Sequence, residues 1–93
     1  MDDKLQSSLK NFPNSPGIYK FFNNKEIIYI GKAKNLRKRI SSYFGKSLKD
    51  RKTSQIRLLT TNVETFTTKN EVEALLLEQT LIKENKPKFN ILL

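Results

Sequence analysis

The alternation of apolar and polar positions along the chain predicts three short strands. Segments Gly17–Phe22 and Ile27–Ile30 are rich in β-branched and aromatic residues, which favours strand. Asn23 and Asn24 separate the two segments, and this arrangement predicts a β-hairpin. Further along, apolar and polar residues alternate over Val63–Thr68, which indicates a third strand.

The register of the hairpin decides whether its two tyrosines share a face of the sheet. Tyr19 and Tyr29 both have odd numbers, so they share a face only when paired residue numbers add up to an even value. A three-residue loop, Asn23–Lys25, would place Tyr19 opposite Tyr29, and a two-residue loop would place them on opposite faces. We therefore predict a three-residue loop or a β-bulge, with both tyrosines on one face beside Arg39.

Helical spacing of apolar residues predicts one helix before the hairpin and one after it. A short N-terminal helix is predicted from the spacing of Leu5, Leu9 and Phe12. The next helix is predicted from about Asn35 to Phe44, because Asn35 is suited to cap a helix and Gly45 to end one. Its buried stripe is predicted to be Leu36, Ile40 and Phe44.

Two further helices are predicted in the second half of the chain. The first, from about Asp50 to Thr60, is predicted to bury Ile56, Leu58 and Leu59. The second begins at Asn70, has Glu73 in position for a capping box, and ends at about Asn85, before Pro87. The element order is αββααβα. We therefore predict a single α+β domain over residues 1–93, in which helices flank a small three-stranded antiparallel sheet.

The residue types that are missing restrict the chemistry. The 93 residues include no cysteine and no histidine. Disulfides, zinc–thiolate sites, histidine–metal sites and a histidine base are therefore excluded. No apolar stretch approaches the length of a membrane span, and the N-terminus lacks the pattern of a signal peptide. We expect a soluble, cytoplasmic protein.

The positive charge is concentrated in one stretch. The net charge is +9, and residues Lys32–Arg57 hold ten lysines and arginines but only one acidic residue. The rest of the chain is electrically balanced. The alternative is a solvated basic face, but this concentration favours a polyanionic partner, nucleic acid above all, over a membrane surface. The expected DNA contacts are Lys34, Arg37, Lys38, Lys46, Lys49, Arg51 and Lys52.

One carboxylate of the last predicted helix has an unusual setting. The helical neighbours of Glu78 at three and four residues' distance are all apolar: Ala74, Leu75, Leu81 and Ile82. The pattern predicts that Glu78 lies in the middle of a buried stripe, where an unpaired carboxylate is costly and its pKa rises. Either Glu78 forms an ion pair with a cation of the sheet, or it is a functional carboxylate that binds a metal ion or a proton. We favour the functional carboxylate.

A single carboxylate restricts the kind of metal site. Mg²⁺ or Mn²⁺ can be bound by one protein ligand, several waters and a substrate phosphate. A two-metal site would need more carboxylates than Glu78. The other acidic residues of the helix lie near its ends or on its polar side, and we expect them to be solvated: Glu71, Glu73 and Glu84.

Two mirrored triplets, Gly17–Tyr19 and Tyr29–Gly31, frame the hairpin. Further residues follow them in a fixed order: Lys32, Arg39, Tyr43, Glu78 and Asn90. With these triplets and residues the chain resembles the GIY-YIG endonuclease family over almost its whole length. Within that family it is most similar to the excinuclease branch.

The resemblance implies a fold and an activity. The fold would be the small α+β nuclease fold of the family, and the activity would be metal-dependent hydrolysis of a DNA phosphodiester with Mg²⁺ or Mn²⁺. The excinuclease branch implies the 3′ incision of damaged DNA in nucleotide excision repair. The partners would be DNA and the other excinuclease subunits. The chain would then be the N-terminal domain of a longer protein.

The expected catalytic residues are Tyr19, Tyr29, Lys32, Arg39, Tyr43 and Asn90, with Glu78 as the metal ligand. Tyr29 is assigned as the base or the residue that positions water, and the sequence leaves the roles of the three tyrosines interchangeable. A tyrosine with a pKa of about 10 is a poor base by itself. We expect Lys32 and Arg39 to lower that pKa. Arg39 would bind the scissile phosphate, and Asn90 would support the site by hydrogen bonding.

Two other functions stay open. One is a nucleic-acid-binding module without catalysis, in which the basic stretch acts alone. The apolar surroundings of Glu78 argue against it, because binding does not require the cost of a desolvated carboxylate. The other is a structure-specific nuclease of the same family that acts on branched DNA, which the sequence does not distinguish from repair incision.

Overall fold

A computed structural model describes residues 9–45 and 50–91. Three strands form one antiparallel sheet in the order β2-β1-β3: β1 (Gly17–Asn23), β2 (Glu26–Ala33) and β3 (Asn62–Thr67). Four α-helices accompany them: α1 (Leu36–Tyr43), α2 (Arg51–Leu59), α3 (Glu71–Asn85) and α4 (Lys88–Ile91). The predicted α+β fold, a three-stranded antiparallel sheet flanked by helices, is confirmed.

The two ends of the described chain differ from the prediction. Leu9–Asn11 forms a short 3₁₀ helix, and the rest of the predicted N-terminal helix lies outside the described residues. Pro87 ends α3 as predicted, but the chain then forms α4, which the sequence pattern did not indicate. In the ranges that the structure covers, no helix has the length and apolar character needed to cross a bilayer.

The β1–β2 hairpin combines a two-residue turn with a β-bulge. Asn24 and Lys25 form the turn, and Asn24 adopts a left-handed conformation with φ 58°. The pairing register shifts between Phe21 and Phe22, so β2 has one extra residue there. The predicted three-residue loop is therefore wrong, whereas the alternative, a bulge, is confirmed.

The bulge keeps both hairpin tyrosines on one face of the sheet. Tyr19 pairs with Gly31 and Phe21 pairs with Tyr29, so the direct pairing of the two tyrosines is not found. Paired numbers on this side of the bulge still add up to an even value, and the two tyrosine rings lie 6.2 Å apart. The shared face, which the site requires, is confirmed.

Separate sets of helices cover the two faces of the sheet. The face that carries the tyrosines packs against α1 and α2, and the predicted stripe of α1 is buried there. That core consists chiefly of Tyr19, Phe21, Leu36, Ile40, Tyr43, Phe44 and Ile56. On the other face, α3 packs across β1 and β2, where Ile18, Ile30 and Ala74 are fully buried.

Helix α2 buries less than predicted. Ile56 is buried, but Leu58 is 77% exposed and Leu59 is 38% exposed. At 100° per residue, Leu58 lies about 200° around the helix from Ile56, so the two cannot face the sheet together. The sequence pattern named the apolar residues correctly but not the arc of the helix that would be covered.

Candidate active site

Three tyrosine rings and one guanidinium form the centre of the site. The hydroxyls of Tyr19 and Tyr43 are 3.2 Å apart and buried. Arg39 donates hydrogen bonds from Nε to the Tyr19 hydroxyl (3.3 Å) and from a terminal nitrogen to the Tyr43 hydroxyl (3.5 Å). The Tyr29 ring lies 6.2 Å from that of Tyr19 and 6.3 Å from that of Tyr43. The structure therefore brings together four of the predicted catalytic residues.

The start of α1 is fixed so that Arg39 and Tyr43 point over β1. Asn35 caps the helix, as predicted, by accepting a hydrogen bond from the Lys38 amide. Arg37 donates through its Nε to the Phe12 carbonyl at 2.7 Å, which ties the first turn to the segment before β1. Arg37 thus helps to position the helix, and its predicted contact with DNA stays a prediction.

The glycine of the second triplet provides space for a tyrosine. Gly31 lies opposite Tyr19, and a Cβ atom at this position would collide with the Tyr19 ring. Gly17 is similarly confined, because a Cβ there would meet the Phe66 carbonyl of β3 and the Leu36 side chain. None of the glycines has a positive φ. The triplets therefore need glycine for close packing rather than for an unusual backbone angle.

The tyrosine hydroxyls hold their protons more tightly than expected. Burial raises the pKa of Tyr19, Tyr29 and Tyr43, and the nearby Arg39 charge offsets only part of this effect. The Arg39 charge lowers these pKa values, as expected, but desolvation of the phenolate outweighs the attraction of the cation, so the pKa of each tyrosine is raised overall. In the protein without bound ligands the three hydroxyls are neutral at physiological pH.

Lys32 is held beside the site by a glutamate that the sequence analysis placed in solvent. The Glu71 carboxylate lies 3.5 Å from the Lys32 ammonium and 3.9 Å from that of Lys34. Glu71 starts α3, whereas the two lysines lie at and just beyond the end of β2. The spacing of residues along α3 could not reveal this pairing, because it joins two separate elements.

Glu78 lies at the margin of the α3 contact and not in the middle of a buried stripe. Of its four apolar neighbours only Ala74 is buried, and Leu75 is 38% exposed. Burial still raises the pKa of the half-buried Glu78 carboxyl, against the opposing effects of the Lys32 charge and backbone N–H. No lysine or arginine in the described ranges lies within 4.0 Å of this carboxylate. The ion-pair alternative is therefore not supported.

The residues around Glu78 fit a divalent cation bound by one protein carboxylate. The described ranges contain no group of three or more acidic side chains that could hold a metal ion. Glu78 is half-buried, carries an unpaired negative charge, and lies next to the Lys32 backbone. A hard cation that keeps several waters and binds a substrate phosphate needs no more than this from the protein.

Asn90 holds the outer edge of β2. Its side-chain oxygen accepts a hydrogen bond from the Ile30 amide, and its side-chain nitrogen donates to the Ile30 carbonyl, each at 2.9 Å. Ile30 lies between Tyr29 and Gly31, so these two hydrogen bonds, which we call the Asn90 clamp, fix the strand that carries both residues. The predicted hydrogen bonding of Asn90 is found, and its effect on catalysis stays a prediction.

A shallow, mostly cationic cavity of about 450 Å³ borders these residues. Its charged and polar lining includes Lys32, Lys34, Lys38, Arg39, Ser42 and Glu71. Among the other expected DNA contacts, Arg51 is exposed, and Lys46 and Lys49 lie outside the described residues. Lys52 does not project freely into solvent, since its ammonium lies 4.8 Å from the centre of the Tyr29 ring.

The ordered motif residues and their convergence around β2 match a known family. The family model described as "UvrC-like GIY-YIG domain" matches residues 15–91. The chain belongs to this family. It is 50% identical over 93 residues to the UvrABC system protein C of Cytophaga hutchinsonii, and 48% identical over 98 residues to that of Helicobacter pylori strain G27. The matches cover 98% and 96% of this chain but only 16% of each relative.

A solved structure shares the UvrC-like GIY-YIG fold over nearly its whole length. The N-terminal endonuclease domain of UvrC from Thermotoga maritima, solved with its catalytic magnesium ion, matches with a TM-score of 0.87 and 38% identity. The alignment covers 96% of this chain and 98% of that domain. The expected fold and the expected assignment to an endonuclease family are both confirmed.

Proposed function

We propose that this UvrC-like GIY-YIG domain is a divalent-metal-dependent endonuclease that makes the 3′ incision in damaged DNA during nucleotide excision repair. The observation that carries the proposal is the convergence of Tyr19, Tyr43 and Arg39 on one face of the sheet, with Lys32 and Glu78 at the edge strand β2. Such a convergence of donors, cations and one carboxylate suits a phosphodiester, which hydrolysis turns into a more highly charged species.

The chemistry follows from the protonation states. The Arg39 guanidinium binds nonbridging oxygens of the scissile phosphate, and Lys32 adds a second positive charge. Because their pKa values are raised, the tyrosine hydroxyls serve as hydrogen-bond donors and acceptors that orient the phosphate and the attacking water. A divalent cation on Glu78 would supply the charge that stabilises the leaving oxygen. Tyr29 then acts by positioning water and not as a phenolate base.

The finer assignments belong to the same proposal. Both Mg²⁺ and Mn²⁺ suit a single carboxylate with water ligands, and the Thermotoga domain binds magnesium. The relatives are proteins of the bacterial UvrABC system, so we propose DNA and the other excinuclease subunits as partners and the cytoplasm as the location. In that case the chain works as the N-terminal domain of a longer protein, as in Thermotoga.

Replacement of Glu78 tests the proposal most directly. In nicking of supercoiled plasmid with Mg²⁺ or Mn²⁺, Glu78→Ala should lower the rate at least about a hundredfold, because metal stabilisation of transition-state charge contributes several kcal/mol. The melting temperature should stay the same or rise slightly, because a half-buried unpaired charge is removed. Glu84→Ala, at an exposed position of the same helix, is the matched control and should nick at the wild-type rate.

Each other result contradicts a part of the proposal. Unfolding of Glu78→Ala by several kcal/mol would make Glu78 a structural residue, and wild-type nicking by a folded variant would place the metal elsewhere. A wild-type protein that binds plasmid but never nicks it would be a binding module. The substrate is tested in a chimera, in which this chain replaces the matching segment of the Cytophaga relative and the partner subunits are added. Cleavage of lesion-containing duplex is then compared with cleavage of branched duplex. Preference for branched duplex would contradict the repair function.

A further inference from the structure

Lys52 stacks on Tyr29, whereas the cation that α1 contributes, Arg39, stacks on Tyr43. The Lys52 ammonium lies 4.8 Å from the centre of the Tyr29 ring, within the range of a cation–π contact. Arg39 occupies the equivalent position 5.2 Å from the Tyr43 ring. The tyrosine cluster thus has a cation on each of two rings, one from α1 and one from the first turn of α2.

The surroundings of Lys52 do not offer it a counter-ion. Asp50 caps α2 instead, accepting hydrogen bonds from the Thr53 amide at 2.7 Å and the Thr53 hydroxyl at 2.9 Å. No carboxylate in the described ranges lies within 4.0 Å of the Lys52 ammonium. The pKa of Lys52 is lowered, chiefly by burial and also by the Arg39 charge, while Asp50 opposes the shift. The site therefore holds two cations that repel each other.

Two like charges beside the same tyrosine cluster suit a shared anion. A phosphate diester has two nonbridging oxygens, and cations from two different helices can bind them from different directions. A lysine ammonium is a compact point charge with three donors, so it can keep its contact with an aromatic ring while donating to an oxygen. The aromatic ring also restricts the side chain before the substrate binds, which lowers the entropic cost of that contact.

We propose that Lys52 is a catalytic residue of this site, which binds a nonbridging oxygen of the scissile DNA phosphate together with Arg39 while it remains stacked on Tyr29. This inference rests on the proposed endonuclease function and extends its phosphate site from α1 to α2. It separates Lys52 from the basic residues that attract DNA without taking part in the chemistry.

The test separates an effect on the chemical step from an effect on binding. Plasmid nicking is measured under steady-state conditions for Lys52→Met, which keeps the length of the side chain, and for Lys52→Arg, which keeps the charge. Lys52→Met should lower kcat at least about tenfold with little change in KM, because the lost charge stabilises the transition state. Lys52→Arg should recover most of the lost kcat.

Two neighbouring cations provide the comparison. Arg51 precedes Lys52 but is exposed, so Arg51→Met should act mainly by raising KM. Lys20 also stacks on an aromatic ring, at 5.9 Å from the centre of Phe66, and lies on the opposite face of the sheet. Lys20→Met, which removes a similar contact on the face of the sheet away from the tyrosines, should leave both kcat and KM unchanged.

Nicking by the wild-type protein is measured first, because it tests the proposed endonuclease function. A wild-type protein that does not nick contradicts that function, whereas the variants test only the role of Lys52. If Lys52→Met raises KM and keeps the wild-type kcat, Lys52 is an ordinary DNA contact and the inference is wrong. If Lys52→Met lowers kcat but also melts well below the wild-type temperature, Lys52→Arg decides: recovery of both supports the inference, and recovery of stability alone overturns it.

Discussion

At the scale of single residues, burial rather than charge decides how the tyrosines act. Tyr19 and Tyr43 share a hydrogen bond inside the core, and Arg39 contacts both hydroxyls. Even so, desolvation raises the pKa of each tyrosine. In the proposed mechanism the site would hold a phosphate with neutral hydroxyls and the guanidinium, and a phenolate base would be unfavourable before substrate binds.

Alkaline titration of tyrosine absorbance should show this directly. The chain has three tyrosines and no tryptophan, so every tyrosine signal comes from the site. In the denatured protein the tyrosines should titrate at a pH of about 10. In the folded protein they should stay neutral well above that pH. Since the raised pKa values favour the unfolded state once pH exceeds the unfolded value, stability should fall from about pH 10 upward.

A fully folded protein whose tyrosines titrate at the same pH as the denatured chain would contradict this account. The titration is followed together with far-ultraviolet circular dichroism, so that loss of the fold is seen separately from ionisation. We expect the two transitions to coincide, because the hydroxyls ionise only when the core around them opens.

The sequence predicts which side chains come together better than it predicts the environment of each. Parity along the hairpin showed that Tyr19 and Tyr29 share a face only with an odd loop or a bulge, and the bulge in β2 meets this condition. The burial of Glu78 was overestimated, because apolar neighbours on a helix do not reveal which arc of the helix packs against the sheet. The Glu71–Lys32 pair and the stacking of Lys52 on Tyr29 could not be predicted, since both depend on distances between separate elements.

At the scale of elements, three polar caps and one bulge set the geometry. Asn35, Asp50 and Asn70 each accept a hydrogen bond from a backbone amide three residues later. These helix starts could be predicted from the sequence because a cap joins a side chain to a backbone amide only three residues away. The bulge in β2 was predictable only as an alternative, and α4 was not predicted, because four residues are too few for a helical pattern.

Asn90→Ala should disturb β2 and with it the site. The change removes two hydrogen bonds and leaves the partly buried Ile30 amide and carbonyl without partners, at a cost of about 1–3 kcal/mol. The nicking rate should fall as well, because Tyr29 adjoins Ile30. Asn85→Ala, which removes one exposed hydrogen bond at the end of α3, is the matched control and should cost less than about 0.5 kcal/mol. Equal losses in urea unfolding for the two variants would disprove the clamp.

At the scale of the whole molecule, the positive charge that would attract DNA is concentrated in one region, which adjoins the tyrosines of the site. The entire net charge of +9 is confined to residues 32–57, which span the end of β2, helix α1 and most of helix α2. The tyrosines lie beside this region on the sheet. Under the proposed function, a DNA backbone attracted by the basic stretch would reach the hydroxyls without any sequence-specific contact with bases.

DNA binding should therefore be strongly dependent on salt and insensitive to base sequence. If the basic stretch neutralises about five phosphates, the logarithm of the binding constant should fall with the logarithm of salt concentration at a slope of about −4 to −5. Fluorescence anisotropy with duplexes of unrelated sequence measures this slope. Lys38→Met should make it shallower, whereas Lys83→Met, on the outer side of α3, should not. A slope near zero would contradict this electrostatic explanation of DNA binding.

The clamp of Asn90 on β2 has one more consequence, which concerns association between molecules. β2 lies at the edge of the sheet, and an uncovered strand edge offers its amides and carbonyls to any strand of another chain. Asn90 occupies both outward groups of Ile30, and the Lys32 amide is turned toward Glu78. The side chains that brace the site thus also occupy backbone groups on this edge that a strand of another chain would need for pairing.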